Sequence, residues 1–227
     1  MIRKTHFLSF LALAALPLCA QTEAEKRLNT ATEVMKEIMG TPDKTIPQDL
    51  MNKAECIVVV PGLKKGAFIV GGKYGRGFVS CRRENNIGWS NPGGVRVEGG
   101  SFGFQIGGAE TDVVMLIMNR RGMEKLLTSK FTLGGDASVA AGPLGRDTSA
   151  MTDAMMHAEI LTWSRQRGVF AGIALTGATL REDGDANQDL YRGAVSNRAI
   201  VNGKGPEPRP GAAAAFVSAL NKYSSRK

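Results

Sequence analysis

The sequence predicts an α+β fold: a curved antiparallel β-sheet, or a barrel-like sandwich, with helices at both ends of the chain. Three observations support this prediction. Apolar residues recur at helical spacing over residues 22–39 and again over 212–223. Between them, short alternating apolar segments follow one another from residue 56 to residue 180, and glycines repeatedly interrupt them. Long helices do not alternate with these segments, which disfavours a parallel α/β sheet.

The first 20 residues have the layout of a secretory signal peptide. Arg3 and Lys4 precede an apolar run over residues 7–18, which is shorter than the about 20 residues that a membrane-spanning helix needs. We expect cleavage after Ala20 and export to the periplasm or outer envelope. The alternative is a lipoprotein acylated at Cys19, but such sites prefer a small residue where bulky Leu18 stands.

Cleavage would leave a basic chain. The formal net charge falls from +8 to +6, because the first 20 residues hold two basic residues and no acidic one. A charge of this sign attracts anionic lipid, polysaccharide or nucleic acid. With a hydrophobic content of 43%, the chain can bury one sizeable core, so a single domain is expected.

An N-terminal helical segment is predicted over residues 21–55. Its amphipathic helix covers residues 22–39 and ends at Gly40, and a second, short helix begins at Pro47. The apolar stripe of the first helix is expected to pack on the sheet, because such stripes usually face a core. Contact of this helix with a membrane surface is the alternative.

The β-rich core is predicted over residues 56–202 and a C-terminal linker and helix over 203–227. Strands are expected at residues 56–61, 67–72, 76–82, 95–97, 102–106, 113–118, 138–141, 158–163 and 169–180. Further elements are a turn at 62–66, a short helix at 120–129, an acidic loop at 182–189 and a closing helix at 212–223.

The glycine-punctuated motifs of the core form an ordered series. It begins with Cys56-Ile-Val-Val-Val-Pro61, continues through residues 71–77, 88–92, 101–108 and 141–146, and ends at 168–177. This series resembles the SYLF family, and the resemblance extends from about Ala24 to the C-terminus. It implies a non-enzymatic lipid-binding domain, since eukaryotic members attach to phosphoinositide membranes and yeast members also bind actin.

Basic residues near the predicted turns are candidate anion-binding residues. In a three-strand meander, the 62–66 turn would adjoin the end of the third strand, so four cations would gather there. These are Lys64, Lys65, Arg82 and Arg83. Further candidates are Lys73 and Arg76 around the next turn and, in the first helix, Lys26 and Arg27.

The expected partner is an anionic lipid or membrane surface, and no cofactor is predicted. An exported protein would meet anionic phospholipid or lipopolysaccharide rather than phosphoinositide, and actin enters only through the family resemblance. The alternative is a structural or protein-interaction module of the cell envelope. Nucleic acid is not an expected partner.

Cys56 and Cys81 remain after signal cleavage. An even count in an exported protein favours a disulfide. The three-strand meander, however, places these residues at opposite ends of its middle strand, too far apart for a bond. The sequence therefore leaves open both a disulfide and two buried thiols.

Catalytic and metal-binding interpretations are weaker. Residues 99–103 fit the G-x-S-x-G pattern, and Ser101 is followed by Asp136 and His157 in the order of an esterase triad. Ser101 nevertheless opens an alternating segment, which predicts a strand instead of the required sharp turn. The acidic loop has the alternation of a calcium loop but lacks its glycine and its closing glutamate, which favours a solvated loop without metal.

Overall fold

In the computed structural model, the residues that can be described are 21–41, 45–68, 70–84, 87–102, 109–128, 130–145, 151–166, 169–172 and 175–224. The predicted signal peptide and Cys19 lie outside them. No helix among these residues combines the length and the apolar character that crossing a bilayer requires.

The first helix, α1, covers Glu23–Gly40 and confirms the predicted N-terminal helix. It begins with a capping box, in which the Thr22 hydroxyl accepts from the Glu25 backbone N–H and the Glu25 carboxylate accepts from that of Thr22. Leu28 and Met35 on its apolar stripe are fully buried. Burial of such a side chain stabilises the fold by about 1.5–3 kcal/mol, so α1 is held on the sheet as expected.

Nine described strands form one sheet. They are β1 (Cys56–Phe68), β2 (Val70–Cys81), β3 (Gly93–Phe102), β4 (Ala109–Ile117), β5 (Lys130–Thr132), β6 (Val139–Ala141), β7 (Ile160–Gln166), β8 (Val169–Gly172) and β9 (Thr179–Glu182). The spatial order is β5-β9-β3-β2-β1-β4-β7-β6, and β8 pairs with β7. All pairs are antiparallel except β6 with β7. The curved, mainly antiparallel sheet with terminal helices confirms the predicted fold class.

The predicted three-strand meander is wrong, because β1 and β2, which cover residues 56–68 and 70–81, pair directly as one long hairpin. Instead of a turn at 62–66, β1 contains a bulge between Val60 and Leu63 and continues as a strand. Gly62 adopts φ +60° in this bulge, a left-handed conformation that glycine adopts readily. The strand-interrupting glycines therefore shape a bend without ending the strand.

The long hairpin also brings Cys56 and Cys81 together, which distinguishes a disulfide from two buried thiols. Cys56 is paired directly with Cys81 across β1 and β2, and the two are joined by a disulfide. The obstacle that the meander presented to this bond disappears, because there is no intervening strand.

The sheet separates two apolar clusters. On one face, α1 packs against β1 and β2 and against two later helices, α5 (Gly184–Tyr191) and α7 (Ala212–Tyr223). Fully buried side chains of this first cluster include Leu28, Ile57 and Phe78. Residues that alternate with them on the strands, among them Val58 and Val79, belong to a second cluster on the opposite face.

The remaining helices connect and flank the strands. They are α2 (Gln48–Lys53), α3 (Arg120–Leu126), α4 (Asp153–His157), α5 (Gly184–Tyr191), α6 (Asn197–Val201) and α7 (Ala212–Tyr223). The predicted acidic loop at 182–189 is wrong, because most of it forms α5. Asp183 caps this helix by accepting from the Ala186 backbone N–H, and Leu190 and Tyr191 are buried.

Candidate functional site

A cleft of about 860 Å³ lies between the N-terminal half of α1 and the strands β1, β2 and β4, and we call it the α1 cleft. Its positive side chains are Lys26, Arg27, Lys64, Arg76 and Arg165. Its carboxylates are Glu23, Glu110 and Asp112. The side chains of the cleft therefore carry a positive excess.

The helix side of the cleft presents two adjacent cations. Exposed Lys26 forms an ion pair of 2.8 Å with Glu23, one turn earlier in α1. Arg27 is half-buried and has no ion pair within the described part of the chain. Burial, followed by the positive charge of Arg76, lowers the pKa of Arg27. An anion bound here would stabilise the charged form of Arg27.

The opposite wall is formed by directly paired residues of β1 and β2. Exposed Lys64 faces Tyr74, whose side chain is 50% exposed. Two residues farther along β2, on the same face, Arg76 binds the buried carboxylate of Asp183 through Nε and Nη2. This hydrogen bond raises the pKa of Arg76. Of these two cations, Lys64 has no ion pair to a described residue.

The floor of the cleft is a fixed ionic network. Arg165 on β7 donates from Nε to the Asp112 carboxylate at 2.7 Å and also pairs with Glu37 of α1. The other Asp112 oxygen accepts from the Gly62 backbone N–H at 2.9 Å. This network ties α1 to the β1 bulge and to β4, so it supports the cleft and its charges are already matched.

Comparison with known proteins identifies the family. Residues 98–223 match the model of a family described as Ysc84, Las17-binding protein actin regulator. The chain belongs to this Ysc84 (SYLF) family. The resemblance inferred from the glycine motifs is thereby confirmed.

The relatives of this SYLF chain are longer proteins, and one of them is named as a binding protein. SH3 domain-containing YSC84-like protein 1 of Homo sapiens is 31% identical over 205 residues, which are 90% of this chain and 58% of the human protein. The Rattus norvegicus protein is 33% identical over 187 residues, 82% of this chain and 54% of that protein. LAS seventeen-binding protein 3 of Saccharomyces cerevisiae is 29% identical over 196 residues, which are 83% of this chain and 42% of the yeast protein. The chain spans about half the length of the curated relatives it matches.

The α1 cleft brings together half of the cations predicted from the sequence, and they come from three separate elements of the SYLF fold. They are Lys26, Arg27, Lys64 and Arg76. Lys65 and Lys73 lie next to the cleft as directly paired residues of β1 and β2. Because successive side chains alternate across a strand, Lys73 belongs to the face opposite Tyr74.

The predicted cluster of Lys64 and Lys65 with Arg82 and Arg83 is wrong. Arg82 follows the end of the hairpin where Cys56 pairs with Cys81, whereas Lys64 lies beyond the bulge, so the two groups lie toward opposite ends of the hairpin. The cluster depended on the turn at 62–66, which the structure replaces with a continuous strand.

Arg82 is a buried structural residue. Its guanidinium donates to the backbone carbonyls of Met51 and Ser224 at 2.9 and 2.6 Å. It also stacks on the Trp89 ring at 3.9 Å, and the Trp89 indole N–H donates to the same Ser224 carbonyl. Arg82 therefore fastens the end of α7 to α2. Its neighbour Arg83 is exposed and donates to the Trp89 carbonyl.

The alternative chemistries find little structural support in this SYLF chain. Ser101 is a β3 residue paired with Gly71, as the alternating pattern predicted, and not the residue of a sharp turn. Asp136 accepts from the Thr132 backbone N–H, and His157 ends α4. No group of three or more metal-ligating side chains occurs within the described ranges.

Sequence reasoning missed Tyr74, Asp112 and Arg165 as cleft residues. Asp112 precedes the predicted strand 113–118, and Arg165 follows the predicted strand 158–163, so neither carried a local signal. Only the pairing of Asp112 with Arg165 across β4 and β7 connects them.

Proposed function

We propose that this SYLF protein is a non-enzymatic module that binds anionic lipid surfaces through the α1 cleft. Lys26, Arg27 and Lys64 contact the lipid head groups, and Arg76, which is paired with Asp183, lines the cleft behind them. The observation that carries the proposal is the convergence of these cations, two of which lack an ion pair to any described residue.

The chemistry of the cleft suits a phosphate group. Arginine offers a planar set of N–H donors that can bind two phosphate oxygens at once, and a nearby lysine adds a mobile charge. Arg27 is half-buried, so water screens its attraction to an anion less than it would on an open surface.

Tyr74 gives the site an apolar component. Its side chain is 50% exposed beside Lys64. An aromatic ring with a hydroxyl group suits the boundary between head groups and acyl chains. We infer that Tyr74 enters this boundary while the neighbouring cations remain among the phosphates.

The proposed setting is outside the cytoplasm, in the periplasm or outer envelope. The Cys56–Cys81 disulfide supports this setting, because disulfides persist mainly in oxidising compartments. The head groups there would belong to anionic phospholipid or lipopolysaccharide. Binding to phosphoinositide or actin would require a different setting.

Vesicle co-sedimentation tests the proposal. Vesicles containing phosphatidylglycerol should bind the chain, and pure phosphatidylcholine vesicles should not. The triple variant Lys26→Gln, Arg27→Gln, Lys64→Gln is expected to bind about a hundredfold more weakly, since each lost charge near a membrane surface removes about 1 kcal/mol.

A matched variant controls for net charge. Lys53→Gln, Arg120→Gln, Arg121→Gln removes the same charge from exposed positions on α2 and α3, away from the cleft. It should retain most of the binding. Equal loss in both variants, or equal binding to neutral vesicles, would contradict the proposed site.

A protein-interaction module is the second candidate, favoured by the name of the Saccharomyces cerevisiae relative, a LAS seventeen-binding protein. Salt distinguishes the two. Adsorption to head groups should weaken as added salt shortens the Debye length from about 10 Å to 3 Å, whereas an apolar protein interface should persist.

A further inference from the structure

Cross-strand pairing places four cations side by side in a row that crosses β2, β3, β9 and β5. Arg76 pairs with Arg96, Arg96 with Arg181, and Arg181 with Lys130. Neighbouring strands lie about 4.8 Å apart, so this cation row spans roughly 14 Å.

The row occupies an accessible part of the sheet. Val95, Leu180 and Phe131, which alternate with the row residues, are buried in the second apolar cluster. The row therefore belongs to the opposite face. The side chains of Arg96 and Arg181 are 38% and 41% exposed, and Lys130 is exposed at the edge of the described sheet.

The charges of the row are incompletely matched. Glu98 is shared by two arginines, with its oxygens 3.2 Å from Arg96 Nε and 3.4 Å from Arg181 Nε. Neither of these buried Nε atoms makes a hydrogen bond in the described structure. Lys130 has no ion pair to a described residue, whereas Arg76 is held by Asp183.

Such an arrangement does not benefit the fold. Like charges placed directly opposite each other on neighbouring strands destabilise a sheet, and an N–H buried without a partner costs further free energy. An anion bound along the row would offset the repulsion, because it would place negative charge beside the cations of successive strands.

We propose that the cation row is a second binding site, which takes one chain of an anionic polysaccharide lying across the strands. A linear polymer can place successive carboxylate or sulfate groups opposite successive cations. Exposed Asp185 and half-exposed Glu98 lie beside the row and would repel a continuous anionic surface.

Nucleic acid fits the row less well. Proteins that bind single-stranded nucleic acid usually stack its bases on several aromatic side chains. Among the described residues, Tyr74 is the one aromatic side chain in the set of large apolar side chains that are exposed. The row itself consists of arginine and lysine, which favours a ligand recognised by its anionic groups alone.

The direct test measures binding of a fluorescently labelled heparin oligosaccharide by anisotropy. The row variant Arg96→Gln, Arg181→Gln, Lys130→Gln should bind about tenfold or more weakly, with a shallower salt dependence. The control variant Lys53→Gln, Arg120→Gln, Arg121→Gln should bind like the unmodified chain. Equal loss in the two variants would overturn the proposal, because it would reflect net charge only.

Two further measurements separate this site from a folding effect and from the lipid site. Glu98→Gln removes the carboxylate within the row and should strengthen heparin binding several-fold; no change or a loss would count against the row. The row variant should melt at an unchanged or higher temperature and still bind phosphatidylglycerol vesicles. Parallel loss of vesicle binding, or equally tight binding of single-stranded DNA, would also overturn the assignment.

Discussion

At the scale of single residues, neighbours decide what a cation does. Arg82 and Arg83 are adjacent in sequence, yet Arg82 is 5% exposed and bonded to carbonyl groups, whereas Arg83 is exposed. Arg27 differs from Arg82 in its neighbours, because it is half-buried in the α1 cleft and lies close to another cation, Arg76, instead of to carbonyl oxygens. Residue type alone could therefore not separate structural arginines from candidate binding arginines.

Replacement of Arg82 should destabilise the fold. Arg82→Met removes the guanidinium hydrogen bonds to the carbonyls of Met51 and Ser224 and the stacking on Trp89, and a buried hydrogen bond to a charged group contributes about 1.5–3 kcal/mol. We expect urea denaturation to show a loss of about 2–4 kcal/mol in the free energy of unfolding. The adjacent, exposed Arg83→Met should change it by less than about 0.5 kcal/mol. Similar effects in both variants would contradict the structural role of Arg82.

At the scale of elements, the helices at the chain ends were predictable because they show the full helical period. The capping box of α1 and the apolar stripe of α7 are local signals. Helix α5 was missed because it has only eight residues and its first turns are polar. The long β1–β2 hairpin was missed because strand glycines resemble turn glycines until the backbone is known.

The residues of the candidate site were predictable one by one, but their arrangement was not. Lys26 and Arg27 could be selected from the helical pattern, and Lys64 from its basic neighbourhood. Their convergence depends on the register beyond the β1 bulge, which pairs Lys64 with Tyr74. Pairing across strands has no local sequence signal, so the cleft and the cation row both required the structure.

Loss of the disulfide between β1 and β2 should destabilise the hairpin and the sheet. Cys56 and Cys81 are separated by 25 residues. A disulfide that closes a loop of this size stabilises the folded state by about 3 kcal/mol, because it lowers the conformational entropy of the unfolded chain. Cys56→Ala, Cys81→Ala should therefore lower the midpoint of urea denaturation. A reducing agent should lower it for the unmodified chain and leave the double variant unchanged. Insensitivity of the unmodified chain to reduction would contradict the bond.

At the scale of the whole molecule, two charged regions lie on the face of the sheet that also carries the first apolar cluster. The α1 cleft and the cation row share Arg76, whose charge is matched by buried Asp183. The other cations of each region can be neutralised without touching this pair. Lipid adsorption and polysaccharide binding therefore make separable predictions, although both depend on a positive net charge.

The most direct test of the central claim, that the α1 cleft meets anionic lipid, places a fluorescent reporter at Tyr74. Trp89 and Trp163 are fully buried, so Tyr74→Trp adds one exposed indole whose emission can be isolated by subtracting the spectrum of the unmodified chain. Phosphatidylglycerol vesicles should shift this emission to shorter wavelength, and phosphatidylcholine vesicles should not. Co-sedimentation with anionic vesicles without any shift would show that the membrane meets another face, and would contradict the account.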